Sequence, residues 1–280
     1  MRKKIMTGMA LLVMLAMLTI SCNNEKNNQE DNDASTENPT ETFDTSEDTE
    51  EEVTTVIDEE VTTVKDIDGN VYKTVELGNQ VWMAENLRTT RYANGESIPL
   101  GTSTSTITSY RYNPNDNANN VPTYGYLYNW PAVMQDASSS SANPSGVQGI
   151  CPDGWHVPSD AEWTELTDYV GSQNEYFCGG DREKIAKALA STEGWNTYSE
   201  SCVVGNNRSA NNATGFSALP AGVYYDGNYG LFGDYAAFWT ATKNYDNGAY
   251  YRGLHYGNAY VYMGDDYNKG YGFSVRCVRD

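Results

Sequence analysis

The stretch "CPDGWHVPSDAEWTEL", residues 151–166, holds a cysteine, two tryptophans, one of the chain's two histidines and a helix start. Ser159 is a favourable N-cap residue, and Glu162 follows it at the spacing of a capping box. Trp163 and Leu166 lie three positions apart, which predicts one buried helical face. The stretch therefore predicts a helix whose first turn follows Ser159.

The same cluster of unusual residues suggests an active site as an alternative. Glu162, Glu165 and Asp168 are candidates for the paired carboxylates of a glycoside hydrolase, although a solvated helix face explains them more simply. His156 and His255 are too few for a histidine-based zinc site, and no cysteine pair has zinc spacing. We therefore expect no metal, no cofactor and no catalytic residue.

Residues 1–21 have the features of an export signal. Basic residues at positions 2–4 precede the apolar run "MALLVMLAMLTI" (9–20), which is short for a bilayer span. Ser21 and Cys22 then resemble the lipobox of bacterial lipoproteins, although Thr19 replaces the usual leucine. An ordinary secretory signal is the alternative. We expect a lipid on Cys22 that attaches an exported protein to the outer membrane, facing the periplasm or the cell surface.

Residues 22–64 are rich in Asp, Glu, Asn, Ser and Thr and carry most of the formal net charge of −20. Such a composition cannot build an apolar core, so it predicts a disordered tether. The acidity also argues against a nucleic-acid partner, because nucleic acid binds basic surfaces. The remaining residues, 65–280, are expected to form a single domain.

Alternating apolar and polar residues predict a hairpin at the start of this domain. A strand from residue 71 to residue 76 is followed by a tight turn at Gly78-Asn79 and a second strand over 80–83. The first helix is expected to end near Gly171, and a second helix is predicted over 181–191. Further strands are predicted at 238–242, 250–254, 259–262 and 272–278.

Tyrosines are concentrated near the C-terminus: 12 of the 22 fall between Tyr224 and Tyr271. Exposed loops are predicted at 224–235, 243–248 and 262–270. Their Tyr, Asp and Asn side chains are suited to stacking on sugar rings and bonding to sugar hydroxyls. Alternatively, the tyrosines fill and cover a loop-rich fold. The predicted ligand contacts are Tyr225, Asp226, Asn228, Tyr229, Tyr245, Asp246, Asp265, Asp266 and Tyr267.

Six segments resemble, in order, the Fibrobacter succinogenes major paralogous domain. They are "DIDGNVYKTVELGNQVWMAENL" (66–87), "YGYLYNW" (124–130), "CPDGWHVPSDAEWTEL" (151–166), "TGFSALPAG" (214–222), "FWTAT" (238–242) and "YGFSVRCVRD" (271–280). The resemblance implies an α+β, loop-rich C-type lectin-like fold, the fold shared with formylglycine-generating enzymes. It also implies an envelope lipoprotein, without assigning a biochemical activity.

Four cysteines of the domain allow three disulfide pairings. In domains of the resembled fold, a cysteine before the first helix is bridged to one in the last strand. The resemblance therefore implies a bond between Cys151 and Cys277, which leaves Cys178 to pair with Cys202. With all four cysteines in structural bonds, formylglycine-generating oxidase chemistry is not expected.

These features together predict a non-enzymatic binding or adhesion module on a lipid-anchored surface protein. Its expected ligand is a glycan or a protein partner. Calcium-dependent sugar capture is not expected, because the sugar-binding motifs of calcium-dependent lectins are absent from the sequence. A polysaccharide-active enzyme and a structural subunit of a surface assembly are the alternatives.

Overall fold

The computed structural model describes residues 62–246 and 248–280. The predicted export signal (1–21), Cys22 and nearly all of the predicted tether (22–64) lie outside the described residues. The described chain combines α and β structure, with many short strands, few helices and two disulfide bonds. Within it, no helix has both the length and the apolar character needed to cross a bilayer.

The strands are β1 (Thr63–Lys65), β2 (Val71–Leu77), β3 (Gln80–Met83), β4 (Arg111–Tyr112), β5 (Leu127–Tyr128), β6 (Trp155–His156), β7 (Val223–Tyr225), β8 (Asn228–Gly230), β9 (Tyr235–Lys243), β10 (Gly248–His255), β11 (Tyr262–Asn268) and β12 (Val278–Arg279). The helices are α1 (Val121–Tyr124), α2 (Trp130–Met134), α3 (Asp160–Ser172) and α4 (Ala186–Leu189). One sheet has the order β1-β2-β3-β12-β6 and another the order β11-β10-β9, while β4 pairs with β5 and β7 with β8.

The predicted hairpin and first helix are both present. Strands β2 and β3 are antiparallel, with Leu77 opposite Gln80 across the two-residue turn. At the start of α3, the Ser159 hydroxyl accepts the amide hydrogen of Glu162, and the Glu162 carboxylate accepts that of Ser159. Local signals sufficed here because turn and cap hydrogen bonds are made between neighbours in the sequence.

The second predicted helix, 181–191, is mostly wrong. Only Ala186–Leu189 is helical. The preceding chain folds into tight turns, in which the amide of Cys178 donates to the carbonyl of Lys184. The following chain is extended, with Ala190 bridged to Ala218. Tertiary pairing on both sides therefore limits the helix to a little over one turn.

Strand β9 is buried on both faces because two separate apolar clusters cover it. Phe238 points to a cluster that includes Trp163 of α3. Its neighbour Trp239 points the opposite way and stacks on Phe273, with ring centroids 4.3 Å apart. Alternation of side chains along the strand thus assigns successive aromatic residues to opposite faces.

Two predictions near the C-terminus are corrected by the pairing of β11. The predicted strand at 259–262 begins only at Tyr262. Residues 259–261 join no sheet, and the carbonyl of Ala259 accepts the amide hydrogen of Ala186 instead. Most of the predicted loop at 262–270 is β11, which pairs with β10 from Tyr262 to Asn268. Its glycine and aspartates have low strand propensity, but pairing with β10 overrides that preference.

The predicted strand over 272–278 is regular only at Val278–Arg279. The preceding residues are extended, but they bond to several sheets in turn. Gly272 bridges Tyr224, Phe273 bridges Tyr128, and Ser274 bridges Phe238. We call residues 272–279 the C-terminal strap.

Two disulfide bonds join Cys151 to Cys277 and Cys178 to Cys202. This is the pairing that the family resemblance implies. The first bond fixes the strap to the chain just before α3 and closes a sequence separation of 126 residues. The second closes a separation of 24 residues and joins the turns before α4 to a turn that follows it.

Removal of the two disulfides is expected to have unequal effects. In the chain-entropy model, a longer closed loop restricts the unfolded chain more. Replacing Cys151 and Cys277 by Ala should lower the free energy of unfolding by about 4–5 kcal/mol, and replacing Cys178 and Cys202 by about 3 kcal/mol. Urea unfolding of both variants measures the difference. An equal or larger loss for the shorter loop would contradict this ordering.

Candidate functional site

His156, which the sequence left without a role, is a buried structural residue. Its Nε2 lies 2.6 Å from Glu162 Oε1, and its Nδ1 lies 2.8 Å from Asp280 Oδ1. The other oxygen of Glu162 accepts amide hydrogens from Ser145 and Ser159. Glu162 is therefore fully engaged, which corrects the expectation of a solvated carboxylate.

Burial and the neighbouring carboxylates have opposite effects on the pKa of His156. Burial alone would lower its pKa, but the hydrogen bonds and negative charges of Glu162 and Asp280 outweigh burial and raise the pKa above 6.5. Only the charged imidazolium can donate to both carboxylates at once. The cluster thus joins β6, the first turn of α3 and Asp280, the residue that follows the strap.

The other two candidate catalytic carboxylates of α3, Glu165 and Asp168, are separate from this cluster. Glu165 accepts a hydrogen bond from the Asn143 amide, 2.6 Å away. Glu165 and the exposed Asp168 both line a shallow groove beside the turn between β2 and β3. The buried Glu162 does not line that groove, so the three carboxylates do not form one site.

An aromatic cleft of about 370 Å³ opens beside β10. Tyrosines from β7, β9, β10 and β11 converge there, and they are joined by residues of the strap and of the chain just before it. We call this site the aromatic cleft. Its lining residues are Val223, Tyr225, Leu231, Tyr235, Tyr251, His255, Tyr267, Tyr271 and Phe273.

Strand register brings these side chains to one face of the β9-β10-β11 sheet. Tyr235 of β9 lies directly opposite His255 of β10. Tyr251 precedes His255 by four residues, so its side chain is on the same face. Tyr267 of β11 packs against Tyr251, with ring centroids 4.4 Å apart.

Two glycines make room for the deepest tyrosine rings. A Cβ atom added to Gly264 would lie 2.0 Å from the Tyr251 ring, and one added to Gly253 would lie 2.4 Å from the Tyr235 hydroxyl. Each ring therefore lies over a glycine on the neighbouring strand. The inner wall of the cleft depends on these two positions having no side chain.

The inner hydroxyl groups are paired and neutral. The hydroxyls of Tyr235 and Tyr251 are 3.0 Å apart. Burial raises the pKa of Tyr235 to about 12 and that of Tyr251 further. At the rim, Tyr271 donates to the carboxylate of Asp226 across 3.3 Å. The wall therefore combines aromatic faces with hydroxyl groups that stay protonated at neutral pH.

Only some of the predicted ligand contacts reach this cleft. Tyr225 and Tyr267 line it, each about 40% exposed, and Asp226 lies at its rim. Asn228 is exposed, and its amide donates to the backbone carbonyl of Asp226. Tyr229 does not line the cleft, because it pairs with Tyr224 on the opposite face of the β7–β8 hairpin.

The remaining predicted contacts lie elsewhere on the same sheet. Tyr245, Asp246 and Asp266 line a separate depression at the turn between β9 and β10. Asp265 is exposed on β11. The fold therefore does not bring all of the predicted contacts together in one place.

Several cleft residues were missed by the sequence reading. Tyr235 falls in the predicted exposed loop 224–235, and Tyr251 falls in a predicted strand that His255 follows. None of them, nor Tyr271, is among the predicted contacts. The available signal was the spacing of Tyr251, Gly253 and His255, which predicts one face of β10 with a gap at the glycine. The pattern could not say which neighbouring ring fills that gap.

Within residues 62–246 and 248–280, no group of three or more His, Cys, Asp or Glu side chains is arranged to hold a metal ion. The Asp66 carboxylate, near the start of the domain, is occupied by hydrogen bonds from Asn70 and Tyr72. Asp68 pairs with Arg91 across 2.6 Å. These carboxylates thus stabilise a turn.

The fold and cleft define a disulfide-bonded α+β domain with an aromatic depression. The sequence model of the family described as the Fibrobacter succinogenes major domain matches residues 75–279, which is most of the chain. The chain therefore belongs to the Fibrobacter succinogenes major domain family. Comparisons with curated proteins and with solved structures find no match.

The His156 cluster predicts a pH dependence of stability. Because its pKa is raised on folding, its stabilisation is complete below pH 6.5 and is lost as pH rises through the higher value. The free energy of unfolding should fall across that range in urea titrations. His156→Gln should lower it by about 2 kcal/mol at pH 6.5 and remove the slope.

His255→Gln is the matched control. Burial lowers the pKa of His255, so its contribution is present above pH 6.5 and is lost as pH falls. This variant should keep the wild-type slope above pH 6.5. An unchanged slope in His156→Gln would show that another group controls the titration.

Proposed function

We propose that the domain is a non-enzymatic binding module whose ligand occupies the aromatic cleft. The observation that carries this proposal is the convergence of five tyrosines on one open cavity of about 370 Å³. Tyrosine supplies a large contact area at a low entropic cost, which explains its frequency at binding sites. Exposed Tyr225 and Tyr267 are positioned to contact a ligand without unfolding of the wall.

The lining of the cleft favours binding over hydrolysis. Among the residues of the described chain that line it, none is a carboxylate, whereas glycoside hydrolysis normally requires two. Glu165 and Asp168 of α3 lie on another part of the surface. Glu162 is buried, and its carboxylate is hydrogen-bonded to His156 and Ser159. These features support an adhesion or recognition role, with a glycan or a protein group as the ligand.

The proposal extends to the setting of the domain. A lipid on Cys22 would anchor an exported protein to the outer membrane, and the acidic residues 22–64 would hold the domain away from it. The support is the sequence of the signal and tether. We also propose a C-type lectin-like fold, supported by the bond from Cys151, before α3, to Cys277 in the strap.

A screen of the full chain tests the proposed function. Ligands found on a glycan array or among immobilised peptides and small molecules would be measured by calorimetry. Tyr267→Ser should weaken binding at least tenfold, since truncated aromatic contacts at binding sites cost about 2 kcal/mol or more. Unfolding should change little, because Tyr267 is 41% exposed.

Tyr245→Ser is the matched control. Tyr245 is also an exposed tyrosine, but it lies at the β9–β10 turn, outside the cleft. Its substitution should leave affinity unchanged. Equal losses in the two variants, or ligands that bind both variants like the wild type, would contradict a ligand site in the cleft.

A further inference from the structure

The rings of the aromatic cleft meet at steep angles. The interplanar angle is 49° between Tyr235 and Tyr251, 59° between Tyr251 and Tyr267, and 72° between Tyr225 and Tyr271. Rings in this arrangement do not form one flat platform for a sugar ring. They surround a compact group from several sides, as in an aromatic cage.

Positive charge is absent from the lining of the cleft. No Lys or Arg is among the described residues that line it. The lysine nearest in sequence to Tyr267 is Lys269, whose ammonium lies over the Trp130 ring and donates to the carbonyl of Asp246 at the β9–β10 turn. The cleft thus has aromatic faces without a resident cation to occupy them.

His255 does not supply that charge at neutral pH. Burial lowers its pKa, and its Nδ1 accepts the amide hydrogen of Gly257. The imidazole is therefore neutral and adds another unsaturated ring to the wall. It lies 6.1 Å from Tyr235, measured between ring centroids.

The charged groups around the cleft are acidic. Asp226 lies at the rim, where it accepts a hydrogen bond from Tyr271. The negative charge of Asp234, next to Tyr235 in the chain, acts on His255. Residues 65–280 contain 23 Asp and Glu against 14 Lys and Arg, a formal net charge of −9, which attracts cations to the domain.

We propose that the aromatic cleft binds an organic cation, namely an ammonium or quaternary ammonium group. This inference rests on the proposed function. The tyrosine faces would attract the cation through their electron-rich π systems, and Asp226 at the rim would add charge attraction. The same chemistry is presented by a lysine side chain of a protein and by a free quaternary ammonium compound. Both sources enter the test.

The test compares choline with 3,3-dimethylbutan-1-ol, its uncharged isostere, by titration of the full chain. Shape and apolar area are nearly equal in the two probes, so any difference reports the charge. Choline should bind at least tenfold more tightly than the alcohol. N-acetyl-lysine methylamide is the third probe, and the tighter of the two cations identifies the source.

Variants separate aromatic attraction from simple burial. Tyr267→Phe keeps the aromatic face and should bind choline within about threefold of the wild type. Tyr267→Leu keeps apolar area but loses the π system and should weaken choline binding at least tenfold. Tyr245→Leu, outside the cleft, should bind as the wild type does.

Equal binding of choline and the alcohol would overturn the cation proposal, as would failure of both cations to bind. Under either outcome, a sugar or other uncharged ligand whose binding is lost in Tyr267→Ser would leave the binding-module proposal intact. If no ligand depends on Tyr267, both proposals fail. The two failures are therefore distinguishable.

Discussion

The C-terminal strap, residues 272–279, is the constraint on which the rest of the fold depends. Its backbone bonds to β7 at Gly272, to β5 at Phe273 and to β9 at Ser274. Its last residues pair with both β3 and β6, because Val278 lies between Trp82 and His156. One extended segment thereby joins several small sheets, each of which would bury little surface by itself.

The side chains of the strap reinforce these backbone bonds. Cys277 is covalently bound to Cys151, close to the start of α3. Arg276 is fully buried, and its guanidinium donates to the carbonyls of Met83 and Ser217 and to the side chain of Asn86. A buried charge is costly without such partners, so loss of any of them would strongly destabilise this region.

The strap also connects the fold to the proposed binding site. Tyr271 immediately precedes it, and Phe273 is part of it; both line the aromatic cleft. Phe273 stacks on Trp239 in the interior and contacts Tyr251 at the base of the cleft, 5.2 Å between ring centroids. The cleft is therefore built on a segment that is held by several strands and a disulfide, which favours a preformed site.

The features that could be predicted from the sequence depend on neighbouring residues. The Ser159–Glu162 capping box and the Gly78-Asn79 turn are local hydrogen-bonding arrangements, and both are present. The prediction of a second helix over 181–191 was mostly wrong, because pairing with distant residues, such as that of Ala190 with Ala218, shortens the helix.

The cleft required information that the sequence does not carry locally. Tyr225 and Tyr267 were predicted as ligand contacts from their composition, whereas Tyr229 shares that composition but faces the other way. Strand register decides between them, and register is set by long-range pairing. For the same reason, Tyr235 and Tyr251 could not be recognised as wall residues.

Native-state hydrogen exchange tests the role of the strap most directly. The amides of Met83, Tyr128, Tyr224 and Trp239 belong to four different strand pairs, and each donates to a strap carbonyl. If the strap joins them into one cooperative unit, all four should exchange with one free energy, equal to that of global unfolding. Exchange through separate openings of lower free energy would show that the sheets are stable independently of the strap.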